Sequence, residues 1–222
     1  MRLNAFELKI IAIITMTIDH IGAVLFPQYL IFRYIGRLAF PIFAFFIVEG
    51  YYHTRDVKKY LGRLLAFALI SEIPYDLAFH NVFFELAHQN VFFTLAIGLF
   101  LINLLENTGA FWIKGVWIIA FMWGADFLKV DYSYRGVALI LIYYLLFERK
   151  WAKHLAGALW NIVFYTHQVP SLTVFPIQYA GAFATILLSL YNGERGPRIK
   201  YVFYVFYPAH LLIIYFIARI LV

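Results

Sequence analysis

The stretch Leu8-Lys9-Ile10-Ile11-Ala12-Ile13-Ile14-Thr15-Met16-Thr17-Ile18-Asp19-His20-Ile21-Gly22-Ala23-Val24-Leu25-Phe26 decides the fold class. It is an apolar run in which only Lys9, Asp19 and His20 are ionisable. A helix that crosses a bilayer needs about 20 mostly apolar residues. A lipid-facing barrel strand would alternate in polarity, and this run does not. Lipid offers the backbone no hydrogen-bond partners, so the run closes its bonds within itself as a helix. Comparable runs lie near 35–52, 60–79, 91–106, 115–128, 135–147, 153–166, 174–191 and 201–221. The sequence therefore predicts an all-α, polytopic transmembrane bundle of about nine spans, with eight to ten compatible. Residues 1–222 read as a single integral-membrane domain.

Composition agrees. Of 222 residues, 64% are hydrophobic, 21% aromatic and 14% charged. Soluble domains carry about 25% charged and about 45–50% apolar residues. A disordered chain, a coiled coil and an ordinary cytosolic enzyme are excluded. The absence of cysteine excludes disulfides, thiolate zinc sites, iron–sulfur clusters and a thiol nucleophile. The net charge of +6 reads as topology rather than nucleic-acid binding, because Lys and Arg concentrate on cytoplasmic loops. With the N-terminus in the cytoplasm, 13 of the 18 basic residues fall on the inner side and 5 on the outer. An odd number of spans then puts the C-terminus outside. The expected location is a bacterial cytoplasmic (inner) membrane, crossed many times.

Ionisable residues in such spans cost about 2.5–3.5 kcal/mol each at mid-membrane, and they usually face the interior and pair. Asp19, His20, Arg33, Arg37, Glu49, Glu72, Asp76, Asp126 and His210 are the candidates. Arg33 and Arg37 share a helix face if the helix begins by Arg33, and Glu72 and Asp76 share another, with Pro74 between them. The two arginines and the two carboxylates are expected to pair at matching depth. Asp19 and His20 point about 100° apart on their helix, so each is expected to meet another span, Asp19 meeting Arg37 or Arg33. The alternative is a set of ion pairs that only pins helices together. His20, beside a carboxylate, is the candidate general base or proton carrier. His210, after Pro208, divides between a packing hydrogen bond and a functional role. His167, with Gln168, is a candidate for the outer mouth. Asn90 is either a helix cap or an amide donor to a reacting oxygen.

Two inner loops are basic: Arg55, Lys58 and Lys59 in one, Arg195, Arg198 and Lys200 in the other. They serve topology and anionic lipid attraction, or they dock an anionic cofactor through its phosphates. The chain has no glycine-rich phosphate loop, paired metal-ligand histidines or nucleophile elbow, and no metal is expected.

Five motifs carry a resemblance. They are Thr17-Ile18-Asp19-His20-Ile21-Gly22; Arg33-Tyr34-Ile35-Gly36-Arg37-Leu38-Ala39-Phe40-Pro41-Ile42-Phe43-Ala44-Phe45; Glu49-Gly50-Tyr51-Tyr52-His53-Thr54-Arg55-Asp56; Ser71-Glu72-Ile73-Pro74-Tyr75-Asp76; and Gln89-Asn90-Val91-Phe92-Phe93-Thr94. Together with Tyr204–His210 they resemble the TraX family, most strongly over residues 8–100. The resemblance implies an integral-membrane acyltransferase. Its namesake in conjugation systems acetylates the N-terminus of pilin, and the donor would be cytoplasmic acetyl-CoA. The acceptor would be an outer-face protein N-terminus, a glycan or a small molecule. On that reading His20 is the general base, and Asp19 fixes the site through Arg37 or Arg33. An arginine or Asn90 stabilises the oxyanion. Arg55, Lys58, Lys59, Arg195, Arg198 and Lys200 dock the donor. Glu72, Asp76, Glu49 and His210 line the acceptor side. The competing functions are a small proton-coupled transporter or flippase and a non-catalytic membrane assembly factor.

Overall fold

Asn4 starts the first helix. Its side-chain oxygen accepts from the Glu7 N–H at 3.0 Å, and the Glu7 carboxylate accepts from the Asn4 N–H at 2.8 Å. This reciprocal cap satisfies two N–H groups that a helix start leaves without partners. The computed structural model describes residues 2–163, 177–197 and 199–221. His167, Gln168, Arg198 and the ends of two expected spans (164–166 and 174–176) lie outside the described residues.

The described regular structure is helical. In order it comprises α1 Ala5–Val24, α2 Leu30–Gly36, α3 Ala39–His53, α4 Val57–Phe79, α5 Val91–Glu106, α6 Phe111–Phe127, α7 Ser133–Leu145 and α8 Lys150–Val163. A 3-10 helix Ile177–Phe183, α9 Ala184–Ser189 and α10 Lys200–Leu221 follow. The chain gathers into two units: Met1–Phe43 with Glu148–Val222, and Ala44–Phe147.

The structure differs from the expected spans in three ways. The run 35–52 is two helices, with a break at Arg37-Leu38. Pro41 explains the break: it has no N–H to give the Arg37 carbonyl, and its ring crowds that carbonyl. The run 174–191, read as one spanning helix, is in its described part a 3-10 helix followed by the short α9. The third difference is length and charge. Two helical stretches, Leu30–His53 and Tyr201–Leu221, are long and apolar enough to cross a membrane. α1 and α4 have the length, at 20 and 23 residues. However, α1 carries Glu7, Lys9 and Asp19, and α4 carries Lys58, Lys59, Arg63, Glu72 and Asp76. α5 and α7 are shorter, at 16 and 13 residues.

In the first unit α1 packs on α2 and on α10, and the 3-10 helix packs on α8 and α2. Residues before α1 are tied to the end of α9: Leu3 N–H donates to the Leu190 carbonyl, and Asn192 N–H to that of Leu3. In the second unit α5, α6 and α7 enclose Leu101, Leu105, Ala125, Val130, Val137 and Leu141. Many large apolar side chains point outward instead, among them Phe111 (90% exposed) and Ile220 (83%). A protein surface against water rarely presents such a density of exposed apolar rings, and lipid removes that cost.

Candidate functional site

The site in the first unit is built on the α1–α2 contact. Asp19 lies in the last turns of α1 and is 6% exposed. Gly36 closes α2 directly against it: a Cβ on Gly36 would collide with Cβ, Cγ and Oδ1 of Asp19. Only a glycine lets the carboxylate sit there. α2 begins at Leu30, so Arg33 and Arg37 do fall on one face. Both reach the same carboxylate. Arg33 Nη1 donates to Asp19 Oδ2 at 2.7 Å, and Arg37 Nη2 donates to Oδ1 at 2.8 Å and Oδ2 at 2.7 Å. Arg33 also donates to the Asp19 backbone carbonyl at 3.3 Å. The expected partner of Asp19, Arg37 or Arg33, is thus both at once. One carboxylate thus bridges two guanidiniums.

The next residue on α1 points elsewhere. His20 Nδ1 lies 2.7 Å from His210 Nε2 on α10. The two rings are nearly parallel, at 9°, with centroids 5.0 Å apart. Stacked ring faces cannot approach to 2.7 Å, so this is an edge-to-edge imidazole–imidazole hydrogen bond. His210 Nδ1 is 2.8 Å from the Phe206 carbonyl. Phe206 lies parallel to the His210 ring at 4.9 Å, and Tyr207 meets it edge-on at 5.6 Å. His210 is 5% exposed, while His20 is half-buried.

A chain of amides extends from the arginines. Arg37 Nη1 approaches Gln178 Oε1 at 3.5 Å, and Gln178 Nε2 approaches Asn161 Oδ1 at 3.5 Å. Asn161 donates to the Gly157 carbonyl at 2.9 Å. Gln178 and Asn161 are both buried, and charge-seeking alone does not find them. An uncharged amide inside an apolar run is the signal that marks them.

The second unit holds a separate cluster. The Asn90 backbone N–H donates to Glu72 Oε1 at 2.9 Å, and Asn90 Nδ2 donates to the same oxygen. Asp76 Oδ2 accepts from the Glu85 N–H at 2.8 Å. Glu72 and Asp76 collect the N–H groups of the chain between α4 and α5. Asn90 gives its other amide hydrogen to the Ala68 carbonyl at 2.8 Å and caps α5 by accepting from the Phe92 N–H at 3.0 Å. Both its hydrogens are committed, so it is a cap rather than an oxyanion donor. Among the described residues, no Lys or Arg forms an ion pair with Glu72 or Asp76. Glu72 Oε2 and Asp76 Oδ1 are buried and have no hydrogen-bond partner among the described residues.

The remaining candidates are placed as follows. Glu49 sits at the C-terminal end of α3 and faces His53 one turn on, at 4.0 Å, away from the start of α3 where Arg37 lies. Arg55, Lys58 and Lys59 are exposed at the start of α4. Lys59 pairs with Asp56 at 3.4 Å. The Lys59 backbone N–H, donating to Asp56 at 2.9 Å, holds that carboxyl below the usual carboxylate range. Arg195 is exposed before α10 in the first unit, and Lys200 is its first residue. Asp126 accepts from the Ser133 hydroxyl at 2.5 Å. No group of three or more metal-ligating side chains occurs among the described residues.

A buried carboxylate bracketed by two arginines, beside a histidine pair, in a chain with two helical stretches long and apolar enough to cross a membrane, defines a membrane-associated helical protein with a polar site in an apolar core. The chain belongs to the TraX protein family, which matches residues 5–218. It is 32% identical over 232 aligned positions to a probable fimbrial assembly protein FimC, serogroup H1, of Dichelobacter nodosus, covering 95% of this chain and 94% of that protein. It is 29% identical over 139 positions to an uncharacterized protein of Rickettsia prowazekii (strain Madrid E), covering 61% of this chain and 52% of the other. No solved structure matches the chain significantly.

Proposed function

We propose that this chain is a multi-pass protein of the bacterial inner membrane. It moves an acetyl group from cytoplasmic acetyl-CoA to an amine or hydroxyl at the outer face, within pilus or fimbrial assembly. A pilin N-terminus is the precedent acceptor. Family membership and the fimbrial relative support the setting. The observation that carries the chemistry is the placement, on one turn of α1, of a half-buried imidazole and a carboxylate that holds two guanidiniums.

Acyl transfer needs a base for the acceptor proton and positive charge for the oxyanion. His20 supplies the first. The acceptor nitrogen or oxygen attacks the thioester carbonyl, its proton passes to His20, and the coenzyme A thiolate leaves and recovers a proton. Arg33 and Arg37 supply the second. Asp19 orients them. Each of the two basic loops, Arg55, Lys58 and Lys59 in one and Arg195, Arg198 and Lys200 in the other, offers positive charge to the donor's phosphates from the cytoplasmic side. Glu72, Asp76 and Asn90 act as scaffold in their own unit.

A second reading has its own support. An ion triad between two helices can serve only to pin them, and the fimbrial relative is named for assembly rather than catalysis. Purified protein in lipid nanodiscs, given acetyl-labelled acetyl-CoA, separates the two. Slow release of free coenzyme A, raised by an amine acceptor, supports transfer. Release no faster than from empty nanodiscs supports the assembly factor.

A further inference from the structure

The histidine pair carries more than proximity. A backbone carbonyl only accepts hydrogen bonds. The Phe206 carbonyl, 2.8 Å from His210 Nδ1, therefore requires the proton on that nitrogen. In the neutral ring His210 Nε2 is then an acceptor. The 2.7 Å bond to His20 must be donated by His20 Nδ1. That places the proton of His20 on Nδ1 and leaves Nε2 as its basic nitrogen. The direction of the whole chain is set by one main-chain oxygen of α10. The His210 ring cannot turn to undo it: Phe206 covers one face at 4.9 Å, Tyr207 sits edge-on at 5.6 Å, and the residue is 5% exposed. Tyr207 also meets the His20 ring edge-on, at 6.1 Å.

We propose that His210 is the positioning residue of the site, holding His20 in the Nδ1–H tautomer so that Nε2 takes the acceptor's proton. The inference rests on reading His20 as the base. It assigns His210 the part a carboxylate plays behind a catalytic histidine elsewhere, using a neutral acceptor suited to an apolar interior.

The test is nitrogen NMR of the full chain in nanodiscs with nitrogen-15-labelled histidine, the His20 signals being identified by their loss in His20→Ala. The expected wild-type spectrum shows His20 protonated at Nδ1 and bare at Nε2. In His210→Phe, which keeps an aromatic ring but no acceptor, His20 should revert toward the Nε2–H form that free imidazole side chains favour. In His210→Gln, whose carbonyl can accept, the Nδ1–H form should persist. A wild-type His20 protonated at Nε2 overturns the inference even if His210→Phe fails to fold. An unchanged tautomer in a folded His210→Phe overturns it as well. In the acetyl-CoA assay, His210→Phe should lower kcat about 10–100-fold at constant KM, with His210→Gln closer to wild type. A loss confined to KM would contradict positioning. A wild type with the expected tautomer and no acetyl transfer removes the acyltransferase reading alone and supports the bond described here.

Discussion

In one unit a single carboxylate, Asp19, faces two guanidiniums. In the other, two carboxylates, Glu72 and Asp76, face backbone and side-chain amides. Both clusters are buried, and both are made of residues that an apolar helix carries at a cost. The first pairs its carboxylate with two cationic side chains and adjoins a half-buried imidazole. The second has its bonded oxygens occupied by N–H groups of Glu85 and Asn90, which fix the chain between α4 and α5. A buried carboxylate thus fixes the chain when its partners are N–H groups of one connection. It becomes a candidate for chemistry when cationic side chains of another helix hold it and a half-buried imidazole adjoins it.

The comparison breaks most readily at Asp19. Asp19→Ala leaves two partly buried guanidiniums without their counter-ion, and removing one member of such a pair costs about 3–5 kcal/mol. Unfolding in denaturant should show that loss; a change below about 1 kcal/mol would mean the triad is solvated and holds nothing. Gly36→Ala comes next. The added methyl must displace the Asp19 side chain, and overpacking of this kind costs about 1–3 kcal/mol. Acetyl-CoA turnover should fall with it if the triad orients the site. The second cluster should respond to shape rather than charge. Glu72→Gln keeps an oxygen for the Asn90 N–H and should stay within about 1 kcal/mol of wild type, whereas Glu72→Ala leaves that donor unsatisfied and costs about 1–3 kcal/mol. Equal effects of the two substitutions would erase the contrast drawn above.

The smallest effect is expected at Asp56, which caps α4 outside the membrane. Its carboxyl is lowered in the folded state, so its contribution is present above the unfolded value and fades as pH falls through the folded one. Asp56→Asn should therefore narrow its stability difference from wild type on acidification. A difference that widens would reverse the sign.

Much of the first cluster was legible in the sequence. Asp19, Arg33 and Arg37 stand out because charge in an apolar run demands a partner, and the spacing of the arginines sets their common face. Matching depth pointed the arginines toward Glu72 and Asp76, and within the first unit both guanidiniums bind Asp19. Depth does not say which helices touch, and Gly36 brings α1 to α2 closely enough that Asp19 takes both guanidiniums. The break at Arg37-Leu38 was legible in Pro41, yet the run around it is apolar enough to read as one span. His210 and His20 are 190 positions apart, and no periodicity links them. Gln178 and Asn161 carry no charge and stand singly in apolar runs, so nothing in their spacing points to the arginines. The span count failed to resolve for a related reason: the charges that mark α1 and α4 as interesting also remove them from the class of plainly apolar crossings.

The central claim is that His20, held beside the Asp19–Arg33–Arg37 triad, is the group that takes the proton in acetyl transfer. The most direct measurement is release of coenzyme A and labelling of an amine acceptor by wild type and His20→Ala, matched for thermal stability in the same nanodiscs. The account predicts a loss of about 10²–10⁴-fold in the variant. Equal turnover by the two proteins would contradict it.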